Sequence, residues 1–198
     1  MLGNLLDTFQ RGGYIMYPIL LCSIFSIAIA VERVWFYRSC STKADFLAEL
    51  GKLLEQGNYE EALSFSEKSQ GDCADMAVFY LKYAGRKRDE VETRANMMVD
   101  AYDDNLMFLN VIVTISPLLG LLGTIIGIIS AFKIFDLRAG QPFAITAGIG
   151  EALIATAFGL MVAILALVLY AALKYQSDIL AKKIMHCCAL LEAADRGR

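Results

Sequence analysis

Three long apolar blocks divide the chain, and polar segments with helical periodicity lie between and after them. The first block, Tyr14 to Val31 (YIMYPILLCSIFSIAIAV), carries no formal charge. At 1.5 Å per residue it is about long enough to cross a hydrocarbon core of roughly 30 Å. Pro18 stands near its start, where a missing N–H does least harm. The block ends in ERVWFYR, with Trp35, Phe36 and Tyr37 set among charges, as a membrane–water interface favours. The second block, Asn105 to Phe132, has 28 uncharged residues, and the third begins near Phe143 and runs to about Leu173. Only a short segment containing KIFDLRAGQP separates them, so the two are expected to form an antiparallel helical hairpin.

The polar parts also read as helices. FLAELGKLLEQGNYEEALSFSEKS spaces its apolar residues at helical intervals and is interrupted at Gly57-Asn58. Asn58 with Glu61 resembles a capping box opening a second helix. No Gly or Pro falls between Gly85 and Pro117, so a helix from about Asp89 is expected to run unbroken into the second block. KYQSDILAKKIMHCCALLEAADRGR, after the third block, again has helical periodicity. The expected fold is an all-α membrane protein, its three transmembrane helices extending into a cytoplasmic helical domain. The expected division is an N-terminal segment 1–13, spans 14–36, 105–132 and 143–173, a cytoplasmic helical domain 37–104, a short loop 133–142, and a C-terminal helix 174–198.

Composition agrees. Of 198 residues 57% are hydrophobic and only 20% charged, and soluble domains sit nearer a quarter charged. A net charge of −3 gives no reason to expect a nucleic-acid partner. Five cysteines, an odd number without CxxC spacing, are expected to be reduced thiols. MLGNLLDTFQRGG lacks a basic n-region and an A-x-A site, so a cleaved signal peptide is not expected. Positive charge then sets the orientation. Segment 32–104 holds ten Lys or Arg and the stretch from Lys174 onward holds five, against one (Arg11) before the first span and two in 133–142. The central segment and C-terminus are therefore expected in the cytoplasm, with the N-terminus and short loop outside.

Candidate chemistry lies in the hairpin. In the second span Gly123, Gly127 and Ala131 are spaced by four, with Gly120 and Thr124 on adjoining rows. In the third, Ala147, Glu151, Ala155, Gly159 and Ala163 form a row at spacing four, with Thr156 beside it. Small residues at such spacing allow close helix approach in lipid, and two such faces imply packing against more helices than three spans supply. A homo-oligomer is the expectation. Glu151 is placed by this row on a packed face. An acid near the bilayer is costly, so it is expected either to hold a proton or to face water or a polar partner. The alternative is an interfacial Glu151 paired locally, for example with Lys133 or Arg138. Thr124 and Thr156 have a plain reading as well, since a Thr in a membrane helix often bonds its own backbone one turn back. Pro117 is expected to kink the second span and to free the carbonyl of Val113.

YPILLCSIFSIAIAVERVWFYR, SPLLGLLGTIIGIISAF and GIGEALIATAFGLMVAILALVLY, in this order, resemble the MotA/TolQ/ExbB family of bacterial inner-membrane proton-channel subunits, and the three-span layout is closest to ExbB and TolQ. The resemblance covers the spans and their flanks; 39–90 matches only in helical character. It implies a ring, expected to be a pentamer, around the single transmembrane helices of an ExbD- or TolR-like partner whose essential Asp takes protons in turn. It implies that the proton-motive force drives relative motion, passed on to the periplasm or outer membrane, with TonB-type uptake foremost and a TonB- or TolA-like protein as a further partner. By the GLLGT and GIGEALIAT motifs, Thr124 and Thr156 would line the ring interior and Glu151 would be the family's shared acid; the proton-carrying acid belongs to the partner. Gly120, Gly123, Gly127, Ala155 and Gly159 are the helix-packing positions. Leu165, where many members have Pro, and Ala171, often Asn, depart from the pattern.

No cofactor is expected beyond protons as the coupling ion, and no metal. His186, Cys187 and Cys188 are adjacent, and consecutive helix positions point about 100° apart, so they do not converge on one ion. No HExxH, P-loop or nucleophile constellation suggests an enzyme. The rival reading is a passive oligomeric membrane scaffold, whose polar groups only bond helices together.

Overall fold

The computed structural model describes residues 12–82, 88–137 and 142–196, without the side chains of 88, 134–137, 142–147 and 196. The helices are α1 (Met16–Cys40), α2 (Phe46–Glu55), α3 (Tyr59–Lys68), α4 (Asp72–Lys82), α5 (Arg88–Asp103), α6 (Leu106–Leu137) and α7 (Pro142–Arg196). No strand occurs among the described residues. Three helices are long and apolar enough to cross a membrane, and they carry the three blocks read from the sequence. Arg11 lies outside the described residues, as does most of the N-terminal segment.

Two boundaries differ from expectation. The helix from Asp89 does not run unbroken into the second span. It stops at Asp103, and Asn105 adopts a left-handed backbone with φ 63° before α6 begins. Asn tolerates this conformation better than most residues, so it ends a helix without Gly or Pro. The loop 133–142 is shorter than read, because α6 continues to Leu137; 138–141 lie outside the described residues. The third span and the C-terminal helix are one continuous α7 of 55 residues, in line with the expectation of helices that extend beyond the spans. Pro117 sits inside an uninterrupted α6. At the start of α3, Asn58 makes no side-chain cap bond. Its Nδ2 instead donates to Glu61 Oε2 at 3.3 Å.

The chain forms two compact units, Met1–Val31 with Asn105–Ala171, and Glu32–Asp104 with Ala172–Arg198. In the first, α6 buries Leu109, Ile112, Ser116, Gly120, Gly123, Gly127 and Ala131. The steps of three and four keep them on one face at 3.6 residues per turn. Ile19 of α1 packs with Ile112, Val162 and Ala166. Leu20, Ile24, Phe25, Leu121, Ile125 and Met161 remain exposed, as suits a unit whose solvent is lipid or further helices.

The second unit has a core from Phe46, Leu50 and Leu54 of α2, Met76 and Ala77 of α4, Val91 and Ala95 of α5, and Leu180, Ile184 and Leu191 of α7. Phe46 stacks on Phe65 with centroids 5.3 Å apart. The last turn of α5 is capped from α1: Arg33 Nη1 donates to the Ala101 carbonyl at 3.0 Å, and the Tyr37 hydroxyl donates to that of Tyr102 at 2.8 Å. Lys174 and Ser177 of α7 hold Asp103, with the closest approach of each at 2.6 Å. All five cysteines are free thiols.

Tyr80 links this unit to pH. Burial, followed by the nearby Asp195 and Glu192, pushes its hydroxyl above the usual 10.0. The unfolded chain therefore loses this proton first, and the native state binds more protons above pH ~10. Stability tied to Tyr80 is complete below that pH and is lost as pH rises further. We expect the unfolding midpoint of the full-length protein to fall more steeply above pH ~10 in wild type than in Tyr80→Phe. Equal slopes would contradict the assignment.

Candidate functional site

The hairpin of α6 and α7 is where sequence placed its candidate residues, and its geometry is set by missing side chains. A Cβ on Gly123 would stand 2.6 Å from Ala155 Cβ, and one on Gly127 3.0 Å from Ala152 Cβ. A Cβ on Gly148 would meet Ala131 Cβ at 2.5 Å, and one on Gly159 would meet the Ser116 carbonyl at 2.6 Å. The pairs 131–148, 127–152, 123–155 and 116–159 run in opposite directions, so the helices are antiparallel and nearly backbone to backbone. Such contact recovers the dispersion and close packing that drive helix association where lipid offers no hydrophobic contrast. Gly120, Gly123, Gly127, Ala155 and Gly159 all lie in this close contact.

The α7 face differs from the row read from sequence. Gly148, Ala152, Ala155 and Gly159 meet α6 in the seam, so of the row 147, 151, 155, 159 and 163 it is Glu151 that is displaced from it. At about 100° per residue, a strict spacing of four drifts, and sixteen residues turn it by about 160°. Steps of four, three and four return to one face. Glu151 is therefore off the seam, next to Ala152, and is exposed in the single chain. Its carboxylate lies against Gly13, where a Cβ would overlap Glu151 Oε1. Gly13 has φ 71°, so backbone conformation and contact both require glycine there. Of the local partners expected for Glu151, Arg138 lies outside the described residues, no ion pair with Lys133 is found among them, and the contact made is to Gly13. The side chain of Ala147 is also outside them.

The two threonines behave differently. Thr156 on α7 donates its hydroxyl across the seam to the Gly120 carbonyl on α6, at 3.0 Å. Thr124 donates to Leu121 of its own helix at 2.6 Å. Thr156 is thus a cross-helix contact inside the unit, and Thr124 satisfies its hydroxyl locally. Sequence reasoning missed Gly13, Ser116, Gly148 and Ala152. The 148–152–155–159 spacing was the available signal for the last two.

The MotA/TolQ/ExbB proton channel family matches residues 82–186, just over half of the chain and including the whole of α6 and its seam with α7. The chain belongs to this family. It is 32% identical over 174 residues to a putative biopolymer transport protein ExbB homolog of Methanothermobacter thermautotrophicus, covering 85% of this chain and 62% of the relative. It is 32% identical over 180 residues to a putative biopolymer transport protein ExbB-like 1 of Synechocystis sp., covering 84% and 69%. It is 28% identical over 190 residues to the Tol-Pal system protein TolQ of Haemophilus influenzae, covering 84% and 82%. The match thus spans a little less than two thirds of the length of the first of these. Membership and the three apolar helices make this a multi-pass protein of the bacterial inner membrane.

Proposed function

We propose that the chain is an ExbB/TolQ-type subunit of a proton-driven motor. Copies of it form a ring, expected to be a pentamer, around the transmembrane helices of an ExbD/TolR-like partner. Proton-motive force is coupled there to work in the periplasm or at the outer membrane, TonB-type uptake foremost, with a TonB- or TolA-like protein receiving it. Thr156 and Thr124 supply hydroxyls to the proton path, and Glu151 shapes the pore and holds the assembly. Protons are the coupling ion, the N-terminus lies outside and the C-terminus in the cytoplasm. The observation that carries this reading is the match to the proton channel family over residues 82–186, which takes in the seam where Thr156 meets Gly120. One charge moved through ~100 mV yields about 2.3 kcal/mol, so work requires several protons or tight coupling.

One observation favours the scaffold reading: both threonine hydroxyls already bond backbone carbonyls. The two readings separate when oligomer mass and partner-dependent proton flux are measured on the same Thr156→Val and Glu151→Ala proteins in liposomes. The motor reading expects intact oligomers with flux reduced about tenfold or more by Thr156→Val, and lowered by Glu151→Ala. Weakened oligomers with no separate flux defect would support the scaffold.

A further inference from the structure

Ser116 lies on the buried face of α6, one turn from Ile112 and one turn from Gly120. It is 0% exposed, and its hydroxyl has no hydrogen-bond partner among the described residues. The other buried serines are satisfied. Ser26 and Ser66 each donate to the carbonyl four residues back at 2.8 Å, and Ser177 donates to Asp103. A buried hydroxyl left without a partner is worse than alanine, so an orphan of this kind calls for a ligand.

The next residue is Pro117, inside the helix. It has no N–H, so the bond that residue 117 would have donated to the Val113 carbonyl does not exist. An unpartnered donor and an acceptor lacking its helical bond thus sit within one turn of each other. Membrane helices containing proline commonly satisfy such groups with serine side chains or ordered water. One turn further on, the Gly120 carbonyl accepts the Thr156 hydroxyl. Ser116 and Gly120 are about 6 Å apart along the axis at 1.5 Å per residue.

We infer that the Ser116 hydroxyl and the Val113 carbonyl bind a water molecule within the first unit, a hydration site that continues the polar track from Thr156 and Gly120 by one turn. Ser116 is a positioning residue: it holds the water and does not itself take the proton. The water's part in proton movement rests on the motor reading above; the hydration site itself does not.

The test uses the full complex with its single-span partner in bilayers, as wild type, Ser116→Ala and Thr156→Val. Proximity of water to the amides of Ser116 and Gly120 is read by water-edited solid-state NMR, alongside proton flux and thermal stability. The expected result is a water signal at these amides in wild type and none in Ser116→Ala, which stays folded and carries a flux about tenfold lower. No water signal in wild type, together with higher stability and unchanged flux in Ser116→Ala, overturns the inference, since the hydroxyl is then simply unpaired. A water signal present in wild type and absent from Ser116→Ala, with flux unchanged in both Ser116→Ala and Thr156→Val, establishes the hydration site and overturns the motor reading instead.

Discussion

Gly159→Ala is expected to destabilise the hairpin by about 1–3 kcal/mol, an unusual cost for adding one methyl group to a helix. The added Cβ would lie 2.6 Å from the Ser116 carbonyl, 3.0 Å from Gly120 Cα and 3.1 Å from Gly120 N. All three are backbone atoms of α6, so no side chain can turn aside and the helices must separate. The same movement stretches the 3.0 Å bond from Thr156 to the Gly120 carbonyl. Gly150, more than two turns away on α7, has nothing within 4 Å of a built Cβ. Gly150→Ala is therefore the control, expected to leave single-chain stability unchanged or slightly raised by helix propensity. Thermal unfolding in detergent compares the two. Equal effects would mean that the seam is not the contact described.

Arg33→Ala is expected to cost about 2–3 kcal/mol, through a different mechanism. The Arg33 side chain is 7% exposed, although the residue belongs to segment 14–36, which the sequence reads as a membrane span. Its guanidinium is held by both oxygens of Glu32 at 2.7 and 2.9 Å, and it lies over the Phe36 ring at 4.7 Å. The remaining nitrogen caps Ala101 in the last turn of α5, where carbonyls have no helical partner. Removal unpairs that carbonyl and takes the two guanidinium bonds away from Glu32. Arg33→Lys is expected to restore little, because one ammonium cannot serve the bidentate carboxylate and the carbonyl together. Denaturant unfolding of the three proteins checks this. Wild-type stability in Arg33→Lys would show that charge alone matters there.

The three spans and the antiparallel hairpin were legible because a bilayer imposes long uncharged runs and a short connection forces reversal. The α6 face was legible because Gly120, Gly123 and Gly127 follow the helical period themselves. The α7 face was not, because small residues are so frequent in GIGEALIATAFGL that a row of four also fits, and only contact with α6 selects 148–152–155–159. That displacement moved Glu151 from the seam to the Gly13 contact. The stop at Asp103 depended on the backbone of Asn105, which no apolar pattern announces. Helix α4 was not singled out because its buried side, Cys73, Ala74, Met76 and Ala77, is made of small and flexible residues that give a weak period. The cross-helix bond of Thr156 required knowing which carbonyl faces it, and that follows from tertiary register alone.

On the proposed reading, the seam around Thr156 serves a proton path that is complete only with a partner helix. Proton flux is to be measured in liposomes holding the wild-type protein alone, with its single-span partner, and with the partner and Thr156→Val. Flux is expected only with the partner, and reduced about tenfold or more by Thr156→Val. Flux that needs no partner, or wild-type flux in the Thr156→Val complex, would contradict it.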